Sequence, residues 1–302
     1  MDFLQPRSVA EAVEAVRSRP DAVPIHGGTD VMVDMNFGRL RPPALLDLTQ
    51  VPELSTWEMT DGLVRLGAGV TYTRLISELG PMLPGLAMAS RTVGSPQIRN
   101  RGTVGGNLGS ASPAGDTLPV LLAGGAVVEA ASAGGSRRIP AGDFFTGVKR
   151  HALRPGELIT GVLVPPAPGP QQFCKVGTRN AMVIAVASFA VELDPARRRV
   201  GTGIGSAAPT PRRAPAAEEF LAGVLTEGGL WDQPGELEDA VADRFAALVA
   251  AAADPIDDVR GTAGYRTHAL KVMARRALGW AWLDYTGRPW RQPGQPGGER
   301  AG

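Results

Sequence analysis

Two short glycine-rich segments, about eighty residues apart, combine the residue types in this chain that are best suited to hold a ligand. They are Ile25-His26-Gly27-Gly28-Thr29-Asp30 and Gly102-Thr103-Val104-Gly105-Gly106-Asn107. Glycine lacks a Cβ, so its backbone can turn sharply and come close to a ligand. Successive amides in such a turn form a positive concavity that holds phosphate oxygens. Each segment alone could equally be an ordinary turn. Together they predict an extended ligand held at several points, such as the dinucleotide FAD.

Two common nucleotide-binding motifs are absent or broken. No Gly-x-x-x-x-Gly-Lys-Ser/Thr sequence occurs, which argues against a P-loop nucleotidase. The segment Gly201-Thr202-Gly203-Ile204-Gly205-Ser206 approaches a Rossmann fingerprint, but its last glycine is misplaced. The prolines that follow cannot open the helix that would carry a pyrophosphate. We interpret this segment as the glycine-rich end of a strand in a packed sheet.

The composition is that of an ordinary globular protein with room for two domains. The 302 residues are 43% hydrophobic and 20% charged, and the net charge is +1. So small a net charge gives no broad field to attract nucleic acid or anionic lipid. No run of about 18 apolar residues occurs, and the N-terminal sequence lacks the basic and apolar regions of a signal peptide. We therefore expect a cytoplasmic protein that neither inserts into membranes nor binds nucleic acid.

Cysteine and histidine usage argues against a metal centre in this chain. Cys174 is the single cysteine, so an internal disulfide is impossible and an iron–sulfur cluster would lack its usual four ligands. Cys174 lies in an apolar, strand-like stretch, which favours a small buried residue over a nucleophile. The three histidines, His26, His151 and His268, are far apart in sequence. We expect no metal site.

Local patterns predict the elements that must position the glycine segments. Ser8 and Glu11 have the spacing of a capping box, and an apolar stripe follows at helical intervals until Pro20. A strand at 23–26 then leads into the first glycine segment. Further predicted elements are strands at 44–48, 63–66, 126–130 and 158–164, and helices at 71–79, 84–89 and 118–123. The proline-rich run at 165–170 marks the clearest boundary, since proline stiffens linkers and ends strands.

Beyond that boundary the pattern predicts a smaller α+β unit. Residues 182–193 and 200–206 are predicted to pair as antiparallel strands joined at Asp194-Pro195. Three helices are expected to follow. The last of them, at 263–284, is predicted to bury a face that includes Tyr265 and Trp280.

Five segments, taken in order, resemble the FAD-binding medium subunit of the molybdenum hydroxylases, the carbon monoxide dehydrogenase and xanthine dehydrogenase group. They are Gly27-Gly28-Thr29-Asp30, the stretch 97–108, Ser112-Pro113-Ala114-Gly115-Asp116, the stretch 175–182, and 255–260 with Tyr265-Arg266. The resemblance runs from about residue 3 to 285, and the stretch 97–108 is its most specific part.

The resemblance implies an α+β protein with a two-lobed FAD-binding fold of the vanillyl-alcohol-oxidase (PCMH) type. A smaller C-terminal α+β domain, an antiparallel sheet with helices, is expected to follow. We expect lobe 1 at 1–54, lobe 2 at 55–166, the C-terminal domain at 171–286 and a mobile tail at 287–302.

The resemblance also implies which residues bind the cofactor. It places the FAD pyrophosphate over 25–31 and the flavin side of the dinucleotide over 103–107. Ser110 and Asp116 would meet the hydroxyl-rich chain, and Val93 and Ile159 would pack near the flavin. Lys175 would lie near the isoalloxazine, where a cation stabilises the reduced form, although the edge it faces stays open. The full predicted set is Ile25, His26, Gly27, Gly28, Thr29, Asp30, Val31, Val93, Thr103, Val104, Gly105, Gly106, Asn107, Ser110, Asp116, Ile159 and Lys175.

By the same resemblance, the chain would be an electron-transfer subunit with non-covalently bound FAD. A covalent link through His26 is not expected, because His26 would lie by the pyrophosphate rather than the ring. A large partner subunit would hold the molybdenum cofactor, and a small partner subunit would hold two [2Fe–2S] clusters, in a dimer of heterotrimers. Arg99 and Arg101 are hypothesised to face the iron–sulfur partner. The external acceptor, whether NAD⁺, a quinone or oxygen, stays open, as does the substrate.

Two other classes of function also stay open at this point. One is a self-sufficient flavin oxidase or dehydrogenase acting on its own small organic substrate, although no convincing acid–base group for a substrate is evident. The other is a flavin-free scaffold subunit that kept the fold. The intact glycine segments argue against a scaffold, because a chain released from binding FAD could replace those glycines freely.

Overall fold

The first lobe is a small parallel sheet flanked by helices. The computed structural model describes residues 1–180 and 182–287. The elements of this lobe are β1 (Asp2–Leu4), α1 (Val9–Ser18), β2 (Ala22–Ile25), α2 (Val31–Asn36) and β3 (Ala44–Asp47). The strand order is β1-β3-β2, with both pairs parallel. Helix α1 begins at the predicted cap, where the backbone N–H of Glu11 donates to Ser8 Oγ at 3.1 Å.

The second lobe is a five-stranded antiparallel sheet with helices on its buried face. Its strands are β4 (Trp57–Thr60), β5 (Leu63–Gly67), β6 (Val127–Ser132), β7 (Gly135–Pro140), β8 (Phe145–Gly147), β9 (Arg150–His151) and β10 (Leu158–Val164). Its helices are α3 (Tyr72–Glu78), α4 (Pro84–Arg91), α5 (Pro96–Arg101), α6 (Val104–Ser110), α7 (Leu118–Ala123) and α8 (Ala141–Phe144), and a 3-10 turn at Pro52–Leu54 precedes them. The main sheet has the order β4-β5-β10-β6-β7, and every residue of the central β10 is buried. Strands β8 and β9 form a separate hairpin.

The C-terminal unit is a three-stranded antiparallel sheet packed between lobe 2 and three helices. Its elements are β11 (Gln171–Val176), β12 (Ala187–Asp194), β13 (Arg199–Gly205), α9 (Pro215–Glu227), α10 (Asp239–Ala251) and α11 (Ala263–Thr286), with β12 in the centre of the sheet. One face of the sheet, including Phe189 and Ile204, packs on the three helices. These sheets and helices confirm the predicted α+β class.

Glycines allow the other face of this sheet to meet lobe 2 directly. A Cβ on Gly201 would overlap the carbonyl oxygen of Ala123, and a Cβ on Gly203 would overlap that of Pro119. Both carbonyls belong to α7, so the backbone of this helix lies against β13. The interpretation of 201–206 as a glycine-rich strand in a packed sheet is therefore confirmed.

Three local predictions were wrong. The second glycine segment is the first turn of helix α6 and not a loop. The strand predicted from residue 182 begins at Ala187, because Met182 has a positive φ of 35° and residues 182–186 form bends and irregular backbone. In α11, Trp280 is 47% exposed and Tyr265 is 48% exposed, whereas Trp282 is buried at 3%.

Two further expectations concern the C-terminal tail and membrane insertion. Of the predicted mobile tail, only Gly287 is described, and it caps α11 in the left-handed conformation. Among the described helices, none combines the length and apolar character needed to span a lipid bilayer.

Candidate dinucleotide-binding site

The first glycine segment leaves β2 and turns at Gly28. Gly28 has φ +73°, a conformation that favours glycine, and α2 begins three residues later at Val31. The backbone N–H of Met32 donates to the Gly28 carbonyl at 3.1 Å. Within the described residues, the amides of Gly27, Gly28, Thr29 and Asp30 donate to no protein acceptor. This turn therefore presents several consecutive backbone donors, which is what an anionic ligand needs.

The second glycine segment uses its amides inside the protein. The N–H of Gly106 donates to Thr103 Oγ1 at 2.9 Å, which makes Thr103 the N-cap of α6. The N–H of Gly105 donates to the Ala68 carbonyl at 3.1 Å, and that of Asn107 to the Thr103 carbonyl at 3.0 Å. The predicted open amide nest is thus not formed by Gly105, Gly106 and Asn107.

Glycine has a different purpose in α6. A Cβ on Gly105 would lie 2.5 Å from the carbonyl oxygen of Ala68, the residue after β5, so only glycine lets the helix approach it this closely. On the opposite side, Gly106 and Gly109 are exposed and leave the helix backbone accessible. The Cβ of an alanine at Gly109 would be 3.8 Å from Ile159 Cδ1, so this open strip of α6 runs beside the predicted residue Ile159.

The two glycine segments meet at the boundary between the lobes. A Cβ on Gly27 would overlap the carbonyl oxygen of Arg101, the residue just before the second segment. A Cβ on Gly69 would overlap Nε2 of His26, so the imidazole lies against the second lobe as well. Residues 26–31 of lobe 1 and the start of α6 in lobe 2 are therefore brought together, as the prediction of a single extended ligand requires.

A buried ion pair joins the C-terminal unit to this region. Lys175 Nζ lies 2.5 Å from Asp116 Oδ2, and the two side chains are 8% and 7% exposed. Lys175 Nζ also donates to the Thr92 carbonyl at 3.1 Å, and the Thr92 hydroxyl lies 3.0 Å from Asp116 Oδ2. Asp116 Oδ1 is buried and has no partner among the described residues. Lys175, on β11, thus completes a site otherwise built from the two lobes.

Three further predicted residues lie in α6 and in the loop after α4. Asn107 Oδ1 accepts from the Thr117 hydroxyl at 2.6 Å, which ties α6 to the loop that carries Asp116. The Ser110 hydroxyl donates to the Asn107 carbonyl at 3.2 Å, at the last turn of α6. Val93 is half-buried and packs against the core between α4 and α5.

The two arginines hypothesised to face a partner differ in their surroundings. Nη1 of Arg99 donates to the carbonyls of Arg91, Val93 and Gly94 at 3.2, 3.1 and 3.0 Å. Arg99 therefore orders the loop that leads out of α4. Arg101 is exposed, so it is the better placed of the two for contact with another chain.

The electrostatics of the site follow from burial. Burial, reinforced by the nearby Arg101 cation and opposed by Asp47, lowers the pKa of His26 below 6.5. Burial raises the pKa of Asp116, while the Lys175 ammonium opposes that rise. Burial also raises the pKa of Cys174 to about 12, so its thiol is protonated and unreactive at neutral pH. Among the described residues, no group of histidine, cysteine or carboxylate side chains could hold a metal ion.

Sequence patterns did not reveal three contributors to this site. Thr92 was not singled out, although it contacts both members of the ion pair. Arg101 supplies its backbone carbonyl, and Gly69 supplies the space for His26. Backbone groups and empty space carry no residue-type signal, and Thr92 could have been suspected only from its place beside the most specific segment, 97–108.

The donor and acceptor sets fit a dinucleotide with phosphates and hydroxyls. The unpartnered amides of Gly27 to Asp30 match phosphate oxygens, and the orphaned Asp116 Oδ1 matches a hydroxyl donor. The exposed glycines of α6 leave room for a ligand to approach the backbone. These residues therefore suit FAD.

Two domain families match nearly the whole chain. Residues 1–167 match the FAD binding domain in molybdopterin dehydrogenase, and residues 172–281 match the CO dehydrogenase flavoprotein C-terminal domain. The fold and the site therefore define an FAD-binding oxidoreductase subunit.

Comparison with individual known proteins shows which family of FAD-binding subunits this chain resembles. The nicotine 6-hydroxylase medium subunit of Paenarthrobacter nicotinovorans is 31% identical over 281 residues, covering 91% of this chain and 95% of that protein. The carbon monoxide dehydrogenase medium chain of Afipia carboxidovorans is 31% identical over 284 residues, covering 92% of this chain and 95% of that protein. A structure of carbon monoxide dehydrogenase from Hydrogenophaga pseudoflava is similar with a TM-score of 0.85 and 28% identity, covering 94% of this chain and 98% of that chain. The chain belongs to the family of FAD-binding medium subunits of the molybdenum hydroxylases, as its five segments predicted.

Proposed function

We propose that this chain performs the flavin step of a molybdenum hydroxylase, taking electrons from a [2Fe–2S] partner and passing them to an external acceptor. The observation that carries this proposal is the turn at 27–30, whose unpartnered amides lie at the junction of two lobes within a matched FAD-binding domain. The FAD held there would supply the redox chemistry, since it exchanges electrons singly or in pairs.

In this proposal the chain's own residues bind and tune the cofactor. The amides of Gly27 to Asp30 donate to the pyrophosphate, with Ile25, His26 and Val31 flanking them. The first turns of α6, from Thr103 to Asn107, form the wall along which the cofactor lies. Ser110 and Asp116 accept from its hydroxyls, and Val93 and Ile159 exclude water.

Lys175 has the electrostatic role. Its ammonium is held beside the site by the Thr92 carbonyl and by Asp116. A fixed positive charge in a buried place stabilises negative charge that develops on reduction. Lys175 therefore favours electron uptake by the site.

The other redox centres are proposed to lie in partner subunits, a molybdenum-containing large subunit and a [2Fe–2S] small subunit, in a dimer of heterotrimers. The chain has one cysteine, and that cysteine is half-buried in β11. Its relatives belong to enzymes named for substrates as different as nicotine and carbon monoxide, at the same 31% identity. A subunit shared between such enzymes performs a common step, so the substrate is selected in another subunit.

The test compares the assembled complex with the free chain. The complex is mixed anaerobically with the substrate of its large subunit, and flavin absorbance near 450 nm is followed. We expect the flavin to be bleached only when the [2Fe–2S] subunit is present, with slower bleaching in Lys175→Met than in Lys175→Arg. Turnover of an organic substrate by the free chain would instead support the self-sufficient enzyme.

A further inference from the structure

Lys175 reaches the site from the face of the C-terminal sheet that meets lobe 2. In the β11–β12 ladder it pairs with Ser188, and Gln171 pairs with Glu192 two rows away on the same face. The N–H of Gly85 in α4 donates to Gln171 Oε1 at 2.9 Å, which shows that this face lies on lobe 2. Lys175 thus extends the same domain contact into the cofactor region.

Thr92 touches both charged groups of the pair. It follows the last residue of α4, and its N–H donates to the Ala89 carbonyl at 3.0 Å. Its own carbonyl accepts from Lys175 Nζ, and its hydroxyl lies 3.0 Å from Asp116 Oδ2 and 2.8 Å from the Ala89 carbonyl. The loop behind it is fixed by Arg99 through three backbone carbonyls.

A buried ion pair needs such additional hydrogen bonds. The desolvation of two charges is repaid only when the geometry is good and the remaining donors and acceptors are satisfied. The Thr92 hydroxyl shares its proton between the Ala89 carbonyl and Asp116 Oδ2, and Oδ2 also accepts from Lys175. Asp116 Oδ1 is left without a partner and remains available to the ligand.

We propose that Thr92 is a positioning residue of the flavin site, one that fixes the Asp116–Lys175 pair so that Oδ1 and the ammonium both keep their orientation toward the cofactor. The proposal rests on the proposed function, because it requires FAD in this site. Thr92 acts through Asp116 and Lys175 and is not itself assigned a contact with the cofactor.

The experiment uses Thr92→Val, which keeps the shape and removes the hydroxyl, and Thr92→Ser, which restores it. The matched control is Thr267→Val, since the Thr267 hydroxyl donates to the Ala263 carbonyl at 3.0 Å within α11, away from the pair. The FAD dissociation constant and the flavin midpoint potential are measured for each full-length protein.

Thr92→Val is expected to weaken FAD binding about tenfold, the order of one hydrogen bond to a charged group, and to make the potential more negative. For Thr92→Ser and Thr267→Val, the FAD dissociation constant is expected to stay within about twofold of the wild-type value, and the midpoint potential is expected to be unchanged. A Thr92→Val protein with normal affinity and normal potential would overturn the proposal, and so would a lower melting temperature with both values intact.

Two further results separate this proposal from the proposed function. Adding Thr92→Val to Asp116→Asn should cost little beyond the single change, because both act through one pair. Full additivity would overturn the role of Thr92 while leaving the flavin function standing.

Should Thr92→Val not fold, Lys175→Gln gives the second test. An unchanged flavin midpoint potential in that variant would overturn the proposal. If the wild-type chain binds no FAD, the proposed function itself fails.

Discussion

At the scale of single residues, the candidate site depends on places where only glycine fits. Gly27 is the clearest, because its Cα lies against the carbonyl of Arg101 in the other lobe. Its neighbour Gly28 is needed for a different reason, its positive φ. Sequence reasoning identified both glycines and attributed them to close approach and tight turning. It did not predict that the close approach is to another part of the chain.

Gly27→Ala is expected to reduce bound FAD by about tenfold or more. The new methyl group would overlap the Arg101 carbonyl, so the two segments must separate and the amides of the turn must move. The measurement is the ratio of FAD to protein after purification.

Gly223→Ala is the matched control for this change. Gly223 lies inside α9, and a Cβ there would meet nothing within 4 Å. Inside a helix, alanine is more favourable than glycine by up to about 1 kcal/mol, so this variant should keep its FAD and its stability. A Gly27→Ala protein with full FAD content would contradict the assigned role of the contact.

His26 predicts a dependence of stability on pH. Its pKa is lowered in the folded chain, so the unfolded chain binds more protons in the window just below 6.5. The contribution of His26 to stability is therefore fully present above pH 6.5. It is lost as the pH is lowered through that window. We expect His26→Gln to lose less of its melting temperature between pH 7.5 and 5.5 than the wild type does.

His151 provides the comparison for this measurement. Burial lowers the pKa of His151 too, so it contributes a slope of the same sign. His151→Gln should leave the His26 part of the slope in place, and the double variant should be flatter than either single one. Identical pH profiles for His26→Gln and the wild type would show that the imidazole is not buried between the lobes.

At the scale of elements, the packing of α7 on β13 connects the C-terminal sheet to the site. Helix α7 begins two residues after Asp116, so its position also sets the position of that carboxylate. Local patterns predicted α7 at its observed bounds, and the cap of α1 as well. They did not predict α6, because the glycines of its first turn are poor helix formers and its cap and the contact with Ala68 decide the outcome.

Gly203→Ala is expected to lower the free energy of unfolding by about 3 kcal/mol, at the upper end of overpacking changes. A Cβ there would overlap the Pro119 carbonyl, which is backbone and cannot move aside by a rotamer change. Urea unfolding measures the difference. Gly264→Ala, where a Cβ meets nothing within 4 Å, is the control and should change the free energy little. Equal stability of the two variants would mean that α7 does not lie on β13.

At the scale of the whole molecule, three parts of the chain contribute to one site: the turn of lobe 1, α6 with the Asp116 loop of lobe 2, and Lys175 of the C-terminal unit. The family could be predicted from sequence, because contiguous, specific segments carry it. Most of the proposed contact residues come from the same segments and stay predictions. The contacts between parts could not, since the Arg101 carbonyl and the Thr92 hydroxyl act through their positions in space. The predicted domain boundaries and the assignment of each residue to a part of FAD stay predictions.

FAD binding by this chain is tested by the absorption spectrum of the purified protein, with its flavin released by acid and identified. We expect flavin bands and about one FAD released per chain, either as purified or after addition of FAD. A colourless chain that takes up no FAD, alone or together with its partner subunits, would contradict its proposed function as a flavin subunit.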